Sequence, residues 1–131
     1  MLKHFLIVLS LVFAFAGPAS AHSDHKIIMG PNGGHIVDAG GGAQHWELAA
    51  AGGDLILFVT DSEEKPVDTA GGSAEGKVLV GGKTLDVTFA PAGGNTMKAS
   101  GEFVAAKGMK VIVKTNGVGG KSFQARLTPM K

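Results

Sequence analysis

Cysteine is absent from this 131-residue chain. Its absence removes thiolate nucleophiles, CxxC redox chemistry and cysteine-based zinc sites, so any metal must be held by His, carboxylate, Met, backbone or a free N-terminus. An excess of either charge is missing too. Twelve Lys and Arg stand against eleven Asp and Glu, and loss of Lys3 with the leader described below leaves eleven of each. A neutral chain has no net electrostatic pull toward nucleic acid or anionic lipid. The only long apolar run is Phe5 to Ala16, well short of the roughly 20 residues that span a bilayer. Beyond it no stretch carries a 3.6-residue apolar period, which excludes a helical core.

Enzyme signatures are equally thin. "GVGGKS" (Gly117–Ser122) resembles the tail of a phosphate-binding loop, but Thr115 stands where the first glycine belongs. "GGSAEG" has the wrong spacing for a nucleophile elbow, and Glu63 and Glu64 sit beside Lys65 in a charged loop. No nucleophile, base and oxyanion set can be assembled, so the chain is not expected to be an enzyme.

What is present begins with an export signal. Lys3 supplies a positive start, "FLIVLSLVFAFA" an apolar core, and Ala19-Ser20-Ala21 a small-x-small cleavage site. Residues 1–21 are therefore read as a signal peptide, with a mature, periplasmic chain starting at His22. No lipidation cysteine follows the apolar core, and no membrane insertion is expected after cleavage. Residues 22–34 read as a flexible, histidine-bearing lead-in.

Residues 35–131 read as one domain of about seven or eight short strands, with runs at His35–Ala39, Gln44–Ala50, Asp54–Asp61, Gly76–Val80, Thr84–Ala90, Thr96–Phe103, Met109–Thr115 and Lys121–Thr128. Leu85/Val87/Phe89, Met109/Val111/Val113 and Phe123/Ala125/Leu127 each line one face at period two. "AGGD", "VGGK", "PAGGN" and "NGVGGK" between the runs supply hairpin chemistry. The expected architecture is all-β: an antiparallel β-sandwich of immunoglobulin or fibronectin type without the usual disulfide. Leu55, Leu57, Val59, Val78, Val80, Leu85, Val87, Phe89, Val111, Val113, Phe123 and Leu127 are its expected core.

Function then turns on the histidines. If Trp46 and Leu48 face inward, His45 and Glu47 share the opposite face as strand neighbours and can offer one cation an imidazole and a carboxylate, a set suited to copper or zinc. His35 would approach them if "DAGGGAQ" (Asp38–Gln44) closes a hairpin. The mature N-terminus is a second candidate, since the α-amine and imidazole of His22 can chelate copper with help from His25 or His35. The third position of the mature chain is not histidine, so the usual amino-terminal copper motif is lacking. Each histidine also has a plain reading as part of a polar face or a cleavage-compatible tail. Met29, Met97, Met109 and Met130 form no cluster; Met97 and Met109 fall on the inward phase and read as core.

"GPNGG" (Gly30–Gly34), "HWEL" (His45–Leu48), "DLILFVTD", "KPVD", "PAGGN" and "FQARL" occur in this order along the chain. Together they resemble a group of small exported bacterial proteins with a Gly-Pro-x-Gly-Gly then His-x-Glu-Leu signature. Similar segments occur near the N-terminal side of periplasmic adaptor proteins of heavy-metal efflux pumps. The resemblance implies a periplasmic β-sandwich that handles copper or zinc, buffering it or delivering it to an efflux system, with an adaptor protein as partner. It reaches His45 and Glu47 directly. Relatives often read Pro-His-Gly-Gly, where this chain has Asn32, so His35 has no counterpart in the signature. The alternative is a metal-free interaction module docking on an efflux adaptor or another envelope protein through a sheet edge.

Overall fold

The computed structural model describes residues 28–130; the leader and the histidines at 22 and 25 lie outside the described residues. Nine antiparallel strands follow one another: β1 (Ile28–Met29), β2 (His35–Ala39), β3 (Gln44–Ala51), β4 (Asp54–Asp61), β5 (Ser73–Val80), β6 (Lys83–Pro91), β7 (Thr96–Ser100), β8 (Lys110–Asn116) and β9 (Gln124–Leu127). Apart from a 3₁₀ turn at Gly40–Gly42 there is no helix among the described residues, and none long and apolar enough to cross a membrane.

The strands form a curled sheet in the order β1-β2-β3-β4-β7-β6-β5-β8-β9. It folds at β6, whose end pairs with β7 only through Ala90 opposite Lys98 and Pro91 opposite Met97, while the rest of β6 pairs with β5. One layer is thus β1-β2-β3-β4-β7 and the other β6-β5-β8-β9. At the open side β2 and β9 approach each other, and the Phe123 ring lies against Gly40, where a Cβ would strike it.

The all-β antiparallel architecture expected from alternation is the one the chain adopts. Trp46, Leu48, Leu55, Leu57, Val59, Val78, Phe89, Met97, Met109, Val111, Val113 and Leu127 close the interior, each full burial contributing about 1.5–3 kcal/mol for an aliphatic side chain. Val80, Leu85 and Phe123, also expected in the core, are partly buried and pack against its margin. Gln44 adds a polar bolt. Its Oε1 accepts from Trp46 Nε1 at 3.0 Å and its Nε2 donates to the Val118 carbonyl at 3.0 Å, tying the two layers together.

The sheet begins earlier than the sequence suggested. Ile28 pairs with Ile36 and Met29 with His35, so β1 lies inside the stretch read as a flexible lead-in. Two residues are too few for an alternation pattern, and this strand exists because β2 offers it an edge.

Candidate functional site

β3 carries the site. Trp46 and Leu48 point inward and are fully buried, so His45 and Glu47 leave the outer face, as alternation requires. Cross-strand register completes that face: Asp38 of β2 lies opposite His45 and Ile36 opposite Glu47, while Thr60 and Phe58 of β4 flank them on the other side.

The two outward residues have different fates. Glu47 is 4% exposed despite facing away from the core, because the "GPNGG" turn folds over it. The Asn32 backbone N–H donates to both carboxylate oxygens, at 2.7 Å and 3.1 Å, and Asn32 Nδ2 donates to Oε2 at 3.1 Å. Glycine is needed at both ends of this turn. A Cβ at Gly30 would fall on the Glu47 carboxylate, and one at Gly34 on the Leu48 carbonyl. Gly30 N–H also closes the turn onto the Gly34 carbonyl at 2.8 Å. The Glu47 carboxylate is thus engaged as the anchor of a loop.

His45 remains accessible. Its Nε2 lies 3.4 Å from Asp38 Oδ1, with the imidazole about a quarter exposed and the aspartate largely so. A small cavity of about 120 Å³ opens beside it, lined by Pro31, Ile36, His45, Glu47, Phe58 and Asn95 among others. Asp61 ends β4 close enough for the His45 charge to act on it. Its Oδ1 accepts from Glu63 N at 2.8 Å and Lys65 N at 3.0 Å. The Lys65 backbone hydrogen bond is the largest cause holding this carboxyl below its ordinary 3.8, with the Glu63 hydrogen bond and the Lys65 and His45 charges acting in the same direction against a desolvation effect.

His35 does not join this face. It lies opposite Leu48, one of the inward residues, and is 7% exposed. The hairpin expected from "DAGGGAQ" does form, but an odd number of steps from His35 to Asp38 puts His35 on the other side of β2. Its Nδ1 is buried with no hydrogen-bond partner among the described residues. Among the described residues no three His, Asp or Glu side chains converge closely enough to hold a metal ion. The structure therefore brings His45 together with Asp38, commits Glu47 to the loop, and separates His35 from both; His22 and His25 lie outside the described residues.

Asp38 is the residue sequence reasoning passed over. The signal was available: a hairpin whose connection runs from Gly40 to Ala43 pairs Ala39 with Gln44 and hence Asp38 with His45. Gln44 gave no comparable signal, because its partners come from Trp46 on its own strand and from the distant Val118. No family model, curated protein or solved structure matches the chain.

Proposed function

We propose that the protein is a periplasmic, non-enzymatic metal-binding β-sandwich that holds copper or zinc through His45 and Asp38, for buffering or for delivery to a heavy-metal efflux system. The observation that carries this reading is the 3.4 Å separation of His45 Nε2 and Asp38 Oδ1 on an exposed face. Metal–ligand bonds of about 2.0–2.2 Å at a tetrahedral angle put neighbouring nitrogen and oxygen donors about 3.4 Å apart. The two donors are therefore already spaced as neighbouring ligands of one ion. Imidazole with carboxylate suits zinc or Cu(II).

Two donors leave a tetrahedral site half filled, and His22 and His25 are the candidates for the remainder. Ile28 is paired with Ile36, so the distance to bridge along β2 to Asp38 is about 7 Å. The three residues from Ile28 back to His25 span up to about 10 Å. Chain length permits the contact. Acids clustered at the same end, Asp61, Glu63, Glu64 and Asp68, against Lys65 and Lys121, favour a cation there.

Calorimetric titration of the mature chain, starting at His22, with Cu(II) and Zn(II) tests the reading. His45→Ala and Asp38→Asn are each expected to weaken binding about tenfold or more, since even the loss of a hydrogen-bond partner behind a ligand costs about 10–100-fold. Identical binding by wild type and His45→Ala overturns it. An extra residue ahead of His22 blocks an amine chelate and leaves the strand pair intact, which separates the two sources of affinity. The second reading, a metal-free module docking on an efflux adaptor or other envelope protein, draws on β1, whose Ile28 and Met29 are 56% and 59% exposed at a sheet edge. Capture of a partner insensitive to chelators supports it.

A further inference from the structure

The two ends of the sandwich differ in chemistry. The end holding the β2–β3 turn carries the His45 pair and the acidic loop. The opposite end is built from the β3–β4 turn, the β5–β6 turn and the irregular crossover from Gly101 to Met109. Gly101 N–H to the Gly53 carbonyl at 2.9 Å and Ala105 N–H to the Gly52 carbonyl at 2.7 Å fasten the crossover in place. At its tip Val104 is 76% exposed, and on the neighbouring hairpin Leu79 is 37% exposed. Two shallow, adjoining clefts of about 390 and 520 Å³ share Val80, Gly81 and Lys83. Lys83, Lys107 and Lys110 rim them, all exposed, with Glu102 the acid in their lining.

We infer that this end is a docking surface for an anionic phospholipid bilayer. A near-zero net charge conceals a partial segregation: Asp38, Asp61, Glu63, Glu64 and Asp68 lie toward the His45 end, while at the Val104 end Lys83, Lys107 and Lys110 outnumber Glu102 and Asp54. Lysines near a membrane surface are each worth about fivefold in partition onto anionic lipid, and a protruding aliphatic side chain adds contact with the acyl boundary. The shape favours lipid over an acidic protein partner. A protein hot spot needs a deep, fully desolvated pocket, whereas here the apolar atoms sit on a tip between open clefts. Both hairpins close off their strands, so no free backbone edge is offered for β-augmentation at this end. Docked this way, the protein presents His45 and Asp38 away from the membrane.

Co-sedimentation of the mature chain with vesicles tests the inference, with a chelator in every sample so that the outcome is independent of the metal reading. Wild type is expected to sediment with phosphatidylglycerol–phosphatidylethanolamine vesicles, not with phosphatidylcholine vesicles, and to be released as salt rises from about 50 to 500 mM. Val104→Asp should lower partition about tenfold. Joint replacement of Lys83, Lys107 and Lys110 by Gln should lower it about a hundredfold. His45→Ala should bind vesicles as wild type does. Buried Trp46 reports whether each variant is folded, and the wild-type salt series stands if one is not. Absence of sedimentation with anionic vesicles, equal sedimentation with neutral ones, or an unchanged folded Val104→Asp overturns the proposal; the first result points to an acidic protein as the occupant instead.

Discussion

Glu47 separates two accounts of the outer face, and its replacement gives a quantitative test. In Glu47→Ala the turn at Gly30–Gly34 loses its anchor: two donors on Asn32 lose a charged acceptor. Hydrogen bonds to charged groups contribute about 1.5–3 kcal/mol each, and a freed loop can rehydrate, so a net loss of about 3 kcal/mol is expected. For a domain of this size that is a fall in Tm of about 12–24 °C. Asn32→Ala removes one donor and keeps the backbone N–H, and should cost about 1 kcal/mol. Gly30→Ala should match Glu47→Ala, because the new methyl would displace the carboxylate. Trp46 is the chain's single tryptophan, fully buried on the same strand, so its fluorescence in a urea titration reads all three. A lowered midpoint at constant slope is the expected pattern. A fourth variant, Glu47→Gln, should leave metal affinity within about threefold of wild type, since the carboxylate serves the loop. The reasoning fails if Glu47→Ala changes stability by under about 0.5 kcal/mol while abolishing metal binding.

Gln44→Leu strips partners from the buried Trp46 Nε1 and the Val118 carbonyl and should cost about 2–4 kcal/mol in urea titration, with Trp46 emission altered in the native baseline. His35→Leu removes a buried nitrogen that has no partner among the described residues; stability should be unchanged or higher by up to about 1 kcal/mol, and metal affinity unaltered. Asp61 has a folded pKa below its ordinary 3.8, so it contributes stability above that value and loses it as pH falls through the lower folded pKa. Asp61→Asn should flatten the acid limb of the stability profile below about pH 4 and leave it parallel to wild type near neutrality.

Much of this molecule was legible because strands of an antiparallel sheet write their faces into every second residue. Trp46 and Leu48 inward with His45 and Glu47 outward followed from that period alone, as did most of the core. The limits have equally specific causes. Alternation says which face a residue occupies but not what covers that face, so Glu47 looked free until the "GPNGG" turn was seen folded over it. The position of Asn32 in that turn drew attention as a missing histidine, whereas its backbone N–H donates to the Glu47 carboxylate. His35 was drawn toward His45 by nearness in sequence, although counting register across the hairpin assigns the position to Asp38. β1 and the Gln44 bolt depend on partners supplied by the folded chain, which no local pattern encodes.

The proposed metal ion bridges His45 and Asp38. Nitrogen-15 chemical shifts of the histidine side chains during a Zn(II) titration test this bridge most directly. His45 Nε2 should be strongly displaced, with the effect lost in Asp38→Asn and the buried His35 ring unmoved. A His45 ring unshifted at saturating zinc, or one that shifts equally in Asp38→Asn, would contradict it.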